Sequence, residues 1–117
     1  MISYCARHQI LLLGYSPLGV PDYHKFPTPA LPANQLEHPD VLSIAAAHGI
    51  TPAQVLLAWQ WSLGIPANPR SMNKQHMMDN LAAYTLGIAL NQTEMDTLNT
   101  QPQVTCEIDK SWYECDE

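Results

Sequence analysis

The stretch that most constrains the fold is Ile10-Leu11-Leu12-Leu13-Gly14-Tyr15, an apolar run without alternation. Such a run is typical of a strand that is buried on both faces, as in a parallel sheet. The following Ser16-Pro17-Leu18-Gly19 predicts the end of this strand, because proline and glycine interrupt regular structure. A second, shorter extended segment is predicted over residues 65–69. We therefore expect an α/β protein in which parallel strands alternate with helices.

Helix signals surround the two extended segments. Residues 2–8 are predicted to form the last turns of a helix, and residues 19–39 a long proline-rich loop. A helix is predicted from about Pro39 through His48, and Gly49 stands where a left-handed C-terminal cap belongs. A loop of this length in a compact domain is usually functional or disordered.

Three further helices are predicted from their capping residues. Thr51-Pro52-Ala53-Gln54 predicts a helix start with a capping box, and Gly64 ends that helix. Its predicted apolar stripe consists of Val55, Leu56, Ala58, Trp59 and Leu63. The next helix is expected over residues 73–84, with Met77, Leu81 and Tyr84 on one face. Asn91-Gln92-Thr93-Glu94 predicts a second capping box, heading a short helix that ends at residue 98 or 99.

The chain has 117 residues, enough for one small domain, yet only two strands can be counted. Two parallel strands cannot close a barrel or cover both faces of a sheet. We therefore expect the chain to be part of a larger domain whose other strands lie before Met1. Alone, it is expected to be poorly stable and to self-associate through unpaired strand edges.

Composition excludes several classes of protein. A net charge of -6 with only five Lys and Arg residues argues against nucleic-acid binding and against an anionic membrane surface. The apolar runs are too short to span a bilayer, and no basic-then-apolar leader is visible. Three cysteines without a C-x-x-C pair, and five histidines without metal-ligand spacing, predict no disulfide scaffold and no metal site. The simplest expectation is a cytoplasmic protein.

Three motifs stand in order along the chain. Gly14-Tyr15-Ser16-Pro17-Leu18-Gly19 resembles the Ala/Gly-Tyr-Ser-Pro-Leu-Gly segment that ends the seventh barrel strand of the aldo-keto reductase family, and the other two motifs follow in that family's order and at its spacing. The nine residues from Thr51 to Trp59 are similar to the helix T-P-A-Q-V-x-L-x-W. Pro69-Arg70-Ser71 followed by Asp79-Asn80 is similar to P-K-S-x-x-x-x-R-x-x-E-N, which follows the eighth strand. The match runs from about Cys5 to Leu98.

The resemblance implies the C-terminal portion of a (β/α)8 TIM barrel. Residues 1–100 would form a partial NADP-dependent oxidoreductase domain, and residues 101–117 a tail or substrate loop. The implied function is NADP(H)-dependent reduction of aldehydes or ketones. The family's catalytic Tyr, Lys, His and Asp come from earlier strands, so no catalytic residue is expected here and the chain alone should be inactive.

The resemblance also implies a set of cofactor-binding residues. Tyr15 would stack on the nicotinamide ring, Ser16 and Leu18 would approach the pyrophosphate, and Gly19 would permit the close turn. Arg70 and Ser71 would bind the 2′-phosphate, with His76 as the second basic position. Asp79 and Asn80 would contact the adenine end, and Trp112 in the tail would pack on a carbonyl substrate. The residues also permit plainer interpretations: a core Tyr15, an ordinary Pro-Gly turn, and a solvated Arg70 beside an N-cap Ser71.

Two departures from the family pattern bear on specificity and fold. Arg70 replaces the family's Lys and His76 replaces its Arg, and a histidine side chain is mostly neutral at pH 7. This predicts relaxed selectivity, with NAD(H) used as well as NADP(H). Pro66, which has no N–H for a ladder bond, and the polar Asn68 put the eighth strand in question.

Two functions remain open on the sequence. The first is a reductase fragment whose full-length parent binds a small carbonyl substrate. The second is an inactive, shortened homologue that acts as a nucleotide- or protein-binding module.

Overall fold

Five α-helices form in the computed structural model, which describes residues 2–19 and 34–100. They are α1 (Ile2–Arg7), α2 (Pro39–His48), α3 (Pro52–Ser62), α4 (Lys74–Thr85) and α5 (Gln92–Asn99). A 3₁₀ turn (Gln35–Glu37) precedes α2. Each helix lies where the sequence predicted one. Residues 20–33 of the predicted proline-rich loop lie outside the described part.

Local capping chemistry accounts for where the helices begin and end. The Thr51 hydroxyl accepts the Gln54 N–H at 3.2 Å, and the Gln54 side chain accepts the Thr51 N–H at 2.9 Å. The same reciprocal pair joins Asn91 and Glu94 at the start of α5. Gly49 closes α2 with φ 63°, a left-handed conformation that suits glycine. These predicted caps are confirmed.

The core lies where α3 packs against α2, with α5 closing one side. Its buried side chains are Val41, Ile44, Ala45, Val55, Leu56 and Leu98. Leu57, which the predicted stripe omitted, is fully buried because α3 also packs against α4. Full burial of one such side chain contributes about 1.5–3 kcal/mol.

The two predicted strands are wrong in extent. In the described residues no strand forms, and the two segments meet only at a parallel bridge between Gly14 and Ala67. The Gly14 N–H donates to the Pro66 carbonyl at 2.8 Å, and Pro66 has no N–H to return a bond. The apolar run before Gly14 is not buried on both faces either. Leu11 and Leu13 are 78% and 64% exposed, because no described element covers them.

The prediction of which side of α4 is buried is also wrong. Met77 and Leu81 are largely exposed, whereas Asn80 and Ala83 are buried. The α3 helix packs on the Asn80–Ala83 side, so the Met77–Leu81 side has no described neighbour. Only Tyr84 of the predicted face is partly buried.

No single helix of the described part is long and apolar enough to cross a membrane. Helices α2 and α3, bent by 93° relative to each other, meet that criterion of length and composition only as a pair.

Candidate cofactor-binding site

The candidate cofactor residues follow two segments that run side by side. Because the bridge between Gly14 and Ala67 is parallel, residues 15–19 and residues 68–71 leave it in the same direction. In α/β proteins, ligands bind at the edge where parallel strands end. The single bridge therefore brings the Tyr15 turn and the Arg70-Ser71 pair to one edge of the molecule.

Tyr15 projects into solvent from this edge. Its side chain is 96% exposed, so the interpretation as a packed core tyrosine is wrong. A free aromatic face of this kind is available to stack on a planar ring. Stacking on nicotinamide remains a prediction.

Residues 16–19 form a tight turn. The Gly19 N–H donates to the Ser16 carbonyl at 2.9 Å, and both residues have positive φ, 47° for Ser16 and 70° for Gly19. Leu18 packs against the core from this turn. The Ser16 hydroxyl and the Leu18 N–H make no hydrogen bond to any described residue, so both are free to bind an anion.

Arg70 and Ser71 stand ahead of α4, but Ser71 is not its N-cap. Asn73 caps this helix, and its side-chain oxygen accepts the N–H groups of Gln75 and His76 at 2.8 and 3.3 Å. The Ser71 hydroxyl instead accepts the Asn73 N–H at 3.1 Å. Two of the helix amides expected to favour an anion are thus already satisfied. Arg70 is exposed and makes no ion pair with a described residue, as the solvated interpretation also expects.

The remaining candidates lie along α4. His76 is exposed, and the Asp79 carboxylate accepts a hydrogen bond from Gln75 at 2.9 Å. Asn80 is only 7% exposed, yet its amide makes no hydrogen bond to another described residue. No described side-chain nitrogen or oxygen atom is both fully buried and without a partner, so the Asn80 amide gives no sign of a missing ligand. Its contact with the adenine end stays a prediction.

Two side chains that hold these segments were not predicted as site residues. The Gln60 side chain donates to the Pro17 carbonyl at 2.8 Å, and the Tyr84 hydroxyl donates to the Ala67 carbonyl at 3.2 Å. The sequence carried one signal for Gln60, a polar residue within an otherwise apolar stretch of α3. Tyr84 carried none beyond its place on α4.

No cluster of three metal-ligating side chains occurs within residues 2–19 and 34–100. Trp112, the predicted substrate contact, lies outside the described residues. No protein-family model matches the chain.

Similarity to curated proteins decides the family. Aldo-keto reductase family 1 member A1 of Xenopus tropicalis is 30% identical over 114 residues, 96% of this chain and 31% of the relative. An aldo-keto reductase of Mycolicibacterium smegmatis is 39% identical over 94 residues, 80% of this chain and 28% of the relative. The chain belongs to the aldo-keto reductase family. It is also 35% identical over 104 residues to the NADH-dependent D-xylose reductase of Candida parapsilosis. This match covers 84% of this chain and 30% of that enzyme.

The chain spans about a third of the length of the curated aldo-keto reductases that it matches. Homology to this family implies the (β/α)8 barrel fold. The parallel bridge at Gly14 and Ala67 is consistent with two neighbouring strands of such a barrel.

Proposed function

We propose that this chain supplies the nucleotide-binding part of an NADP(H)-dependent aldo-keto reductase that reduces aldehydes or ketones. The parallel bridge between Gly14 and Ala67 carries the proposal. It brings the Tyr15 turn and the Arg70-Ser71 pair to one edge, where an extended dinucleotide can contact both.

The free groups at this edge fit the parts of a dinucleotide. The exposed Tyr15 ring suits the nicotinamide. The Ser16 hydroxyl and the Leu18 N–H, which bond to no described residue, suit the pyrophosphate. Asn80 would contact the adenine end, as the family pattern implies. None of these groups would have to break a bond within the described part in order to bind.

The 2′-phosphate would rest mainly on Arg70 and the Ser71 hydroxyl. Because Asn73 satisfies the amides of Gln75 and His76, the start of α4 contributes less to anion binding than a bare helix end. His76 stands where the family pattern has an arginine, whose positive charge is permanent. Both features favour use of NADH beside NADPH, and the name of the Candida parapsilosis relative, an NADH-dependent enzyme, supports this.

A bound nicotinamide cofactor supplies the hydride for carbonyl reduction. Within this chain, Tyr15 would hold the ring and the 16–19 turn would orient it toward the substrate. The acid that protonates the carbonyl oxygen would come from further polypeptide, together with most of the substrate pocket. Trp112 remains the proposed substrate contact in this chain.

Isothermal titration of the 117-residue chain with NADP⁺ and NAD⁺ tests the proposal. Arg70→Gln should weaken NADP⁺ binding about 10- to 100-fold, the loss expected for a charge-assisted contact, and leave NAD⁺ unchanged. Arg7→Gln is the matched control, since Arg7 is an exposed arginine at the end of α1 and not a site residue.

Two outcomes would overturn parts of this proposal. Absence of binding by the folded parent chain would refute nucleotide binding. A preference for NADPH over NADH of about 100-fold or more, near 2.7 kcal/mol, would refute dual cofactor use.

A further inference from the structure

We infer that Gln60 is a positioning residue, which holds the 15–19 turn in place through the Pro17 carbonyl. The hydrogen bond between the Gln60 side chain and the Pro17 carbonyl supports this positioning role directly. Its consequence for ligand binding rests on the proposed function. Gln60 belongs to none of the motifs that carry the family resemblance.

Gln60 ties together the two segments that meet at the bridge. Its side-chain amide donates to the Pro17 carbonyl at 2.8 Å, within the turn. Its backbone carbonyl accepts the Ile65 N–H at 3.0 Å, at the start of the segment that pairs with Gly14. Because α3 is anchored in the core, Gln60 links both segments to a helix with buried side chains.

Residue 14 lies close to the side chain of Gln60. A Cβ built on Gly14 would lie 2.6 Å from the Gln60 Oε1 atom and 3.3 Å from the Ala67 Cβ atom. Gly14 does not have a positive φ, so it is the close approach of Gln60 and not the backbone conformation that disfavours a larger residue here. The amide of Gln60 therefore occupies the position that any other side chain would need.

A methyl group at residue 14 would act through Gln60. The Oε1 atom is the free end of a flexible side chain, so the amide can move away without displacing backbone. Moving it breaks the hydrogen bond to the Pro17 carbonyl. Gly14→Ala should therefore reproduce the effect of losing the Gln60 amide.

Tyr15 depends on this anchor more than a packed residue would. At 96% exposure its ring has almost no packing to fix its position. Two hydrogen bonds hold the backbone around Tyr15. Before it, the Gly14 N–H donates to the Pro66 carbonyl, and after it, the Gln60 amide donates to the Pro17 carbonyl. Pro17 is itself buried and Leu18 packs against the core, so loss of the Gln60 bond should loosen mainly Tyr15 and Ser16 while the helices remain folded.

Backbone ¹⁵N relaxation of the 117-residue chain tests the positioning directly. In Gln60→Met, which keeps the side-chain length and removes the amide, the N–H order parameters of Tyr15 and Ser16 should fall from about 0.85 to below about 0.6. Gln92→Met is the matched control, because the Gln92 amide makes a 2.8 Å bond to Asp96 within α5. Unchanged order parameters in Gln60→Met would overturn the inference.

The close approach is tested by a pair of variants. Gly14→Ala should give the same mobile turn as Gln60→Met. Gly14→Ala/Gln60→Ala, in which the space is open, should fold and show mobility no greater than Gln60→Met alone. Additive loss of order in the double variant would mean that Gly14 and Gln60 act independently, which contradicts the inference.

Ligand binding provides a readout that general destabilisation would not reproduce. Gln60→Met should weaken NADP⁺ by about 10-fold, the size of one net hydrogen bond, and leave adenosine 2′-monophosphate within about 2-fold. The monophosphate has neither nicotinamide nor pyrophosphate, so it needs neither Tyr15 nor the turn. Equal weakening of both ligands would overturn the positioning role. If the parent chain binds neither ligand, the proposed function fails, while the relaxation data still decide the role of Gln60.

Discussion

At the scale of single residues, the candidate site is defined by which polar groups are already satisfied. Ser71 and Asn73 are both good N-cap residues, and the structure assigns the cap to Asn73. That assignment uses two amides of α4 and leaves Arg70 as the main positive charge before the helix.

His76→Arg should restore selectivity for NADPH. A permanent positive charge at this position would add a second contact to the 2′-phosphate, which NADH does not carry. We expect the ratio of NADH to NADPH dissociation constants to rise by about 10-fold, as for one charge-assisted hydrogen bond. Fluorescence titration of the chain with both cofactors measures this ratio.

Met77→Arg is the control for general electrostatic attraction. Met77 is exposed on the next position of α4 and therefore points in a different direction around the helix. If Met77→Arg raises the ratio as much as His76→Arg, the effect does not depend on a local phosphate contact.

The sequence could predict the site residues but not their hydrogen-bond partners. Tyr15 and Arg70 are identified by a motif, which needs only residue type and spacing. The choice between Ser71 and Asn73 as cap depends on where the chain enters α4, which is set by packing. Gln60 is missed for the same reason, because its partner Pro17 is 43 residues away in sequence.

At the scale of elements, the ends of helices were predictable because capping is local chemistry. The capping boxes at Thr51 and Asn91 each need only four consecutive residues. Strands and buried faces depend on neighbours instead. The predicted strand before Gly14 and the predicted Met77–Leu81 face of α4 both lack a described neighbour to cover them.

Thr51→Ala should destabilise the protein by about 1 kcal/mol, the usual cost of losing an N-cap side chain. Thr51 begins α3, the helix that packs against both α2 and α4, so loss of its cap affects the core directly. Urea denaturation followed by circular dichroism should show a lower midpoint.

Thr85→Ala is the matched control for Thr51→Ala. Thr85 is an exposed threonine in the last turn of α4, and its hydroxyl only donates to the Leu81 carbonyl within the same helix. Equal destabilisation by the two substitutions would show that the Thr51 cap has no special role.

Glu94 couples the stability of α5 to pH. Its side chain is 14% exposed, and it lies 2.8 Å from His48 at the end of α2. Burial acts to raise the pKa of Glu94, but the hydrogen bonds from the Asn91 N–H and from His48, with the His48 charge, lower it overall. A lowered pKa in the folded state stabilises the protein above the ordinary value of 4.5, and this contribution is lost as pH falls below it.

Glu94→Gln should therefore flatten the acid limb of the stability profile. Free energies of unfolding from urea titrations at several pH values below and above 4.5 measure this. An unchanged acid slope in Glu94→Gln would refute the coupling. The control is Asp96→Asn, a change of the same charge in α5 away from His48.

At the scale of the whole molecule, much apolar surface is left open. Leu11 and Leu13 are exposed beside backbone that no described strand pairs with. Unpaired edges with apolar side chains favour association with other chains. The aldo-keto reductases that this chain matches are about three times as long, so related proteins have far more polypeptide available to cover such surface.

Leu11→Lys/Leu13→Lys should reduce self-association of the chain. Sedimentation velocity over a range of concentrations should show association of the parent, and a shift toward monomer in the double variant, because lysine side chains block edge-to-edge pairing. Leu42→Lys is the control, since Leu42 is also an exposed leucine but lies on α2, where the backbone is fully paired within a helix. A parent chain that stays monomeric at every concentration would contradict the prediction. Equal loss of association in Leu42→Lys would assign it to general apolar surface and not to the edge beside Gly14.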